Sequence, residues 1–208
     1  MSFSRDGVPD RGASYIGDVN PPLISAGDGV PGSFRVRFET SRGEFVVEAR
    51  RSWAPYGVDR FHELVAGSFF EGCRFFRVLD GFVAQFGISG DPVTSAAWRQ
   101  RTIPDDPVVE SNRRGRVTFA MAGPGTRTTQ LFINLGDNAG LDGMGFAPIA
   151  QVVEGMERVD ELYAGYGEGA PRGAGPDQGR IQREGEGYLA REFPRLDTIR
   201  RATVVSPA

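Results

Sequence analysis

The sequence predicts a mainly β domain, a sandwich or a closed barrel, carrying a few helices. Three observations predict it. Short apolar runs of strand length recur through the middle of the chain, separated at close intervals by Gly, Pro, Asp and Asn. Hydrophobic residues make up 39% of the 208 residues, and 15 of them are Phe, which is enough to bury a core. Helical periodicity is clear in only two segments and weaker in a third.

Residues 1–32 are rich in Gly and Pro without apolar period and read as an irregular N-terminal arm, with Tyr15, Ile16, Leu23 and Ile24 able to pin it. From residue 33 onward one domain is expected, including an extension over 165–208. Residues 33–39 alternate, with Phe34, Val36 and Phe38 on one face and Arg35, Arg37 and Glu39 on the other. A turn at Ser41–Gly43 joins this strand to a second over 44–50, making a hairpin.

Val58, Phe61, Leu64 and Val65 fall at helical spacing, Pro55 suits a first turn and Gly67 a stop, so a helix is expected over 54–67. His62 lies off that stripe and reads as a surface residue. Strand-like runs follow at 73–79, 82–87, 117–121, 131–135 and 148–153. A second helix is expected over 155–165, a Gly-rich loop over 165–180, a weaker helix over 181–193, and a last strand near Ala202–Ser206.

Composition excludes several chemistries. All 24 basic residues are Arg, and there is one His and one Cys. Without Lys there is no Schiff base and no P-loop lysine. A structural zinc site lacks its ligands, and no metal or cofactor is expected. A net charge of −3 argues against nucleic-acid binding. No apolar run approaches the ~20 residues of a membrane span, and the first residues lack a secretory pattern. The expectation is a cytoplasmic monomer. Asp105, Asp106, Glu154 and Glu157 read as solvated charge, the 113–116 basic run as a solvated turn. Cys73 reads as a small buried hydrophobe, since no base accompanies it.

Two longer segments carry a family resemblance. FFRVLDGFVAQFG (75–87) and VTFAMAGPGTRTTQLFIN (117–134) resemble the signature segments of cyclophilin-type peptidyl-prolyl isomerases, and the order of pieces between His62 and Val159 agrees. The resemblance covers roughly residues 33–164; the tail beyond is similar to an extension of some bacterial members. It implies a closed eight-stranded antiparallel barrel capped by two helices, here with an extra C-terminal helical segment. It also implies an isomerase acting on X-Pro bonds in peptides and folding proteins.

That activity suits the composition. Rotation about an X-Pro amide is opposed by resonance, a barrier of about 18–20 kcal/mol. At the twisted transition state the proline nitrogen regains a lone pair. A catalyst therefore needs a donor aimed at it, an apolar slot for the ring, and polar groups for the flanks. The resemblance assigns the donor to Arg77, whose guanidinium is a rigid charged fork. Gln85 and Gln130 match amides that orient Arg77 or substrate. Phe82, Val83, Phe132, Leu141 and Phe146 match the proline slot, and Ala120 and Met121 match positions that bind through the backbone. On periodicity alone these apolar residues would be core.

Several residues depart from the family pattern. Phe76 and Phe146 stand where His is common, Val83 for Met, Met121 for Asn, and Phe86 for a Gly. The loop to Asp91 is longer than usual. A binding module of the same fold, holding proline segments with little turnover, is the rival expectation; a hydrolase is remote, since His62 has no nucleophile motif near it. Ala139 and Gly140 occupy the stretch where a Trp helps many members hold cyclosporin-type macrocycles. An inhibition titration should accordingly show weak sensitivity to such compounds; potency equal to that of Trp-containing members would contradict this.

Overall fold

A computed structural model describes residues 29–205; the expected arm lies, up to residue 28, outside them. The hairpin forms as β1 (Ser33–Thr40) and β2 (Gly43–Arg50), with Phe38 opposite Phe45 and their rings stacked at 4.9 Å. After helix α1 (Pro55–Ala66) come β3 (Arg77–Leu79) and β4 (Val83–Phe86), then helix α2 (Pro92–Arg99). Strands β5 (Arg116–Phe119) and β6 (Leu131–Asn134), a 3₁₀ turn (Ala139–Met144) and β7 (Pro148–Glu154) follow. The chain ends with short helices α3 (Met156–Asp160), α4 (Gln178–Glu184) and α5 (Glu186–Glu192), and β8 (Ile199–Val205).

The eight strands form one antiparallel sheet in the order β3-β4-β6-β5-β7-β2-β1-β8. It curls into a barrel that is less than fully closed. The end strands β3 and β8 share no ladder; the segments leading into them meet at an isolated bridge between Arg74 and Thr198, with Phe75 N–H donating to the Asp197 carbonyl at 3.0 Å and Gly72 N–H to the Ile199 carbonyl at 2.8 Å. Of the strand-like run expected over 73–79, only Arg77–Leu79 forms a strand, and residues 73–76 make a seam. Inside the curl, Phe38, Phe45, Phe61, Phe70, Phe75, Phe86 and Phe119 are fully buried. Phe86 packs against Phe38, Phe70 and Phe75, so the residue that departs from the family's Gly is spent on the core.

Helix α1 buries Val58, Phe61, Leu64 and Val65, the expected stripe. His62 is half-buried, not a free surface residue, because its ring meets the Phe34 edge at 5.0 Å. The second expected helix stops early, at Asp160, where the chain turns and the Tyr163 amide donates to the Asp197 carboxylate at 2.7 Å. The third is two helices, broken at Gly185: its φ of +62° is left-handed and a Cβ there would meet the Gly90 carbonyl. Helix α2 was not expected. Its start is legible, since Pro92 follows Asp91, whose carboxylate accepts from Val93 and Thr94 amides at 3.1 and 3.0 Å, but it fully buries only Ser95 and sets a half-buried Trp98 against Phe69.

A satellite cluster joins the extension to the barrel. Phe76 and Ile88 from the barrel are buried against Ile181, Tyr188, Leu189, Phe193 and Leu196, with Tyr166 packed alongside. Cys73 is fully buried, and burial pushes its thiol up to about 12, as suits an inert core residue. Glu154, Glu157, Arg113 and Arg114 are exposed, as read from the sequence, but Arg116 is not in a solvated turn: it opens β5, lies over the Trp53 ring at 4.2 Å and pairs with Glu110 at 2.8 Å.

Asp106 is a correction. It is not solvated surface charge: its side chain is wholly buried. The N-cap of helix α1 is Ala54, which offers no capping side chain. Asp106 supplies the cap from elsewhere in the chain, accepting from the Tyr56 and Gly57 amides at 3.0 and 2.9 Å. It also pairs with the buried Arg127 at 3.0 Å, whose Nη1 has no partner. Asp106→Ala would uncap α1 and leave that buried cation only the exposed Asp105, 3.4 Å from its Nε, as a carboxylate partner. It should cost about 3–5 kcal/mol, read as a lowered urea midpoint at unchanged slope.

Candidate active site

The alternation of β3, β4 and β6 decides which side chains leave the core. Arg77 pairs in register with Gln85, and Gln85 with Phe132, so the three stand in a row across neighbouring strands. Their neighbours Val78, Ala84 and Ile133 belong to the core. On the outer face, Arg77 Nη1 donates to Gln85 Oε1 at 3.2 Å, and Gln85 Nε2 donates to Gln130 Oε1 at 2.9 Å. A relay of polar groups thus fixes the guanidinium over the sheet.

Around this relay lies a groove of about 640 Å³. The structure brings all of Arg77, Phe82, Val83, Gln85, Ala120, Met121, Gln130, Phe132, Leu141 and Phe146 to its lining. The Phe132 and Phe146 rings meet edge to face at 5.8 Å, and Phe82 lies under the Arg77 guanidinium at 5.7 Å. Leu141 is carried by the 3₁₀ turn, whose position is set by Asp142. That carboxylate accepts from Ser111 Oγ at 2.6 Å and from the Asn112 amide at 2.9 Å. Ala120 donates its N–H to the Gln130 carbonyl at 2.9 Å, holding the next wall. Ala122, Thr126, Thr128 and Met144 line the groove as well. They sit beside positions the sequence singled out, without a signal of their own.

One wall comes from the extension. Glu168, Gly169, Ala170, Pro171, Arg172, Pro176 and Gln178 also line the groove. Glu168 takes Arg77 side-on, Oε1 to Nε at 2.7 Å and Oε2 to Nη2 at 2.8 Å. The Arg77 bond holds the Glu168 carboxyl below its ordinary value of 4.5. Arg77 is therefore both a groove residue and half of an ion pair, two readings that look exclusive in the sequence. Nothing in the Gly-rich stretch, with no period and no motif, marks Glu168 beforehand. Among the described residues no cluster of His, Cys, Asp and Glu could hold a metal ion, and no helix is long and apolar enough to cross a membrane.

A curled eight-stranded sheet carries an arginine, two glutamines and a phenylalanine-lined groove on its outer face. Residues 35–180 match the family described as cyclophilin type peptidyl-prolyl cis-trans isomerase/CLD. Peptidyl-prolyl cis-trans isomerase-like 3 of Mus musculus is 31% identical over 133 residues, 61% of this chain and 80% of that protein. Peptidyl-prolyl cis-trans isomerase B of Escherichia coli (strain K12) is 30% identical over 135 residues, 61% of this chain and 82% of that protein. In fold, the chain is similar to a cyclophilin type isomerase of Cryptosporidium parvum, with a TM-score of 0.63 at 20% identity, covering 85% of this chain and 99% of that one. A second structure of the Cryptosporidium parvum protein, in the presence of the dipeptide Ala-Pro, gives a TM-score of 0.61 at 20% identity, covering 83% of this chain and 99% of that one. The chain belongs to the cyclophilin-type peptidyl-prolyl cis-trans isomerase family and is an enzyme of that class.

Only Arg77, Glu168 and Arg172 ionise among the groove's lining residues. Because the Glu168 carboxyl is lowered on folding, its pairing with Arg77 is fully present above the ordinary value of 4.5 and is lost as pH falls through the lower folded value. Peptide-exchange rates should therefore be flat between about pH 6 and 9, with any change confined to the acid range. A bell centred near neutrality would contradict this.

Proposed function

We propose that this chain accelerates cis/trans exchange of X-Pro bonds by non-covalent stabilisation of the twisted amide, with Arg77 as the donor. The observation that carries the reading is the Arg77–Gln85–Gln130 relay beside an apolar groove. In the planar ground state the proline nitrogen has no lone pair to offer, so a donor aimed at it gains little. In the twisted state the lone pair appears and the bond forms, which lowers the barrier and not merely the energy of bound substrate. A guanidinium held at one nitrogen by Gln85 loses little freedom at that moment.

Other lining residues take the roles their chemistry allows. Phe82, Val83, Phe132, Leu141 and Phe146 hold the proline ring, removing its apolar surface from water. The Ala120 N–H is spent on the Gln130 carbonyl, so a substrate backbone would meet the peptide groups of Ala120 and Met121 through what remains, such as the Ala120 carbonyl. Met121 needs no polar side chain for that. The ligands are proline-containing peptides and folding proteins, met by a monomer without cofactor. The net charge of −3 gives no reason to add nucleic acid. A cytoplasmic location remains part of the proposal.

The rival reading, a groove that binds proline segments with little turnover, draws support from the ion pair on Arg77, which occupies part of the donor. Exchange spectroscopy on a tetrapeptide with a central Ala-Pro bond separates the two. For the enzyme, Arg77→Ala should lower turnover by about 10²–10³, the usual loss for one transition-state donor, while peptide affinity changes only a few-fold. A wild type that binds the peptide without speeding exchange selects the rival.

A further inference from the structure

The extension does more than cover hydrophobic surface. Residues 166–176 form a strap whose two ends are fastened and whose middle stands over the groove. At one end the Tyr166 ring meets the Tyr163 and Phe193 edges, both at 5.0 Å, and its hydroxyl accepts from the Arg195 amide. At the other, the Asp177 amide donates to the Tyr188 hydroxyl at 3.0 Å, and the Asp177 carboxylate caps α4. Between them the chain doubles back: Gly175 N–H donates to the Glu168 carbonyl at 2.9 Å, and Gly169 bridges Gly175. A Cβ on Gly175 would lie 2.8–3.0 Å from three carbonyl oxygens of the strap, so the turn closes only on glycine. Ala170, Pro171 and Arg172 are exposed at the rim, while Glu168 reaches down to Arg77.

Glu168 and Gln85 take three of the five guanidinium N–H groups of Arg77, one on Nε, one on Nη2 and one on Nη1, and the Glu168 carboxylate offsets its charge. A substrate oxygen or a nascent proline lone pair meets either the two N–H groups left, on a cation already paired, or a position that Glu168 or Gln85 must give up. Displacing the glutamine amide is displacing a neutral group; displacing Glu168 is separating a bidentate, charge-assisted pair. The strap is tethered, so its carboxylate returns at a high effective concentration whatever the substrate level. The pair is only part-buried, with side chains 19% and 31% exposed, so it is held weakly enough to open.

We propose that Glu168 is a built-in competitor for Arg77: the strap holds the enzyme below its intrinsic turnover, and whatever loosens the strap raises activity. This rests on Arg77 being the donor. Glu168→Gln keeps the shape and removes the charge. It should raise kcat/KM about fivefold, as expected for freeing one partner of a part-exposed ion pair. Added salt should raise the wild-type rate and leave the variant nearly unmoved, because only the wild type has the pair to screen. In an Arg77→Ala background the gain from Glu168→Gln should vanish. The probe is the same Ala-Pro tetrapeptide, with circular dichroism melts to show that each variant is folded.

Three results would overturn the proposal. If Glu168→Gln lowers kcat at unchanged KM and Glu168→Asp restores it, Glu168 positions Arg77 and does not compete for it. If Glu168→Gln matches an active, Arg77-dependent wild type, the competitor idea fails alone. If wild type and both Glu168 variants are inert, the isomerase reading fails and takes this inference with it.

Discussion

Strand register across β3, β4 and β6 is the constraint from which the site follows. Arg77, Gln85 and Phe132 share one face, and Val78, Ala84 and Ile133 the other. A slip of one residue in β4 would send Gln85 into a core of packed phenylalanines and lift Phe86 toward water. Phe86 and its neighbours in the core therefore hold the polar relay in place as surely as the hydrogen bonds do. The ladder fixes the face on which Arg77 stands, beside Gln85.

A chain without lysine uses the guanidinium fork as its general cross-link. Arg60, only 7% exposed, donates to the carbonyls of Arg101 and Thr128 and to Glu63, and burial pulls its pKa down. Arg127 ties the Pro104 carbonyl to Asp106. Arg74 reaches Glu186 and the Leu196 carbonyl, clasping the extension. Each of these buys order by dividing one charge among several acceptors, which a point-charged ammonium does poorly. Arg77 is the member of this set that also faces an open groove, so its loyalties are split between architecture and substrate.

The elements that were legible in the sequence are those whose burial repeats with the backbone. The alternation at 33–39 and the stripe Val58–Phe61–Leu64–Val65 became β1 and α1 because both signals arise from packing against one core. Eight of the ten candidate residues come together because two motifs, 75–87 and 117–134, lie on paired strands, and Leu141 and Phe146 arrive with the 3₁₀ turn and the residues just after it. What escaped is long-range and local at once. Asp106 caps a helix about fifty positions earlier in the chain, α2 rests on a cap and a proline with only Ser95 fully buried, and Glu168 acts from a loop without period. Neither spacing nor composition encodes a carboxylate's distant partner; only the folded path does.

The departure at Phe76 has a meaning beyond the groove. Next to Arg77, it sits 2% exposed beneath Tyr188, Leu189 and Phe193 of the tail, with Ile88 beside it. The tail is thus not an appendage on a finished barrel. Clipped away, it would leave two greasy side chains bare at the rim, a sticky spot inviting self-association. The bulky ring and the tail that shelters it are mutually obliged: inheritance could drop neither one without first shrinking or replacing the other.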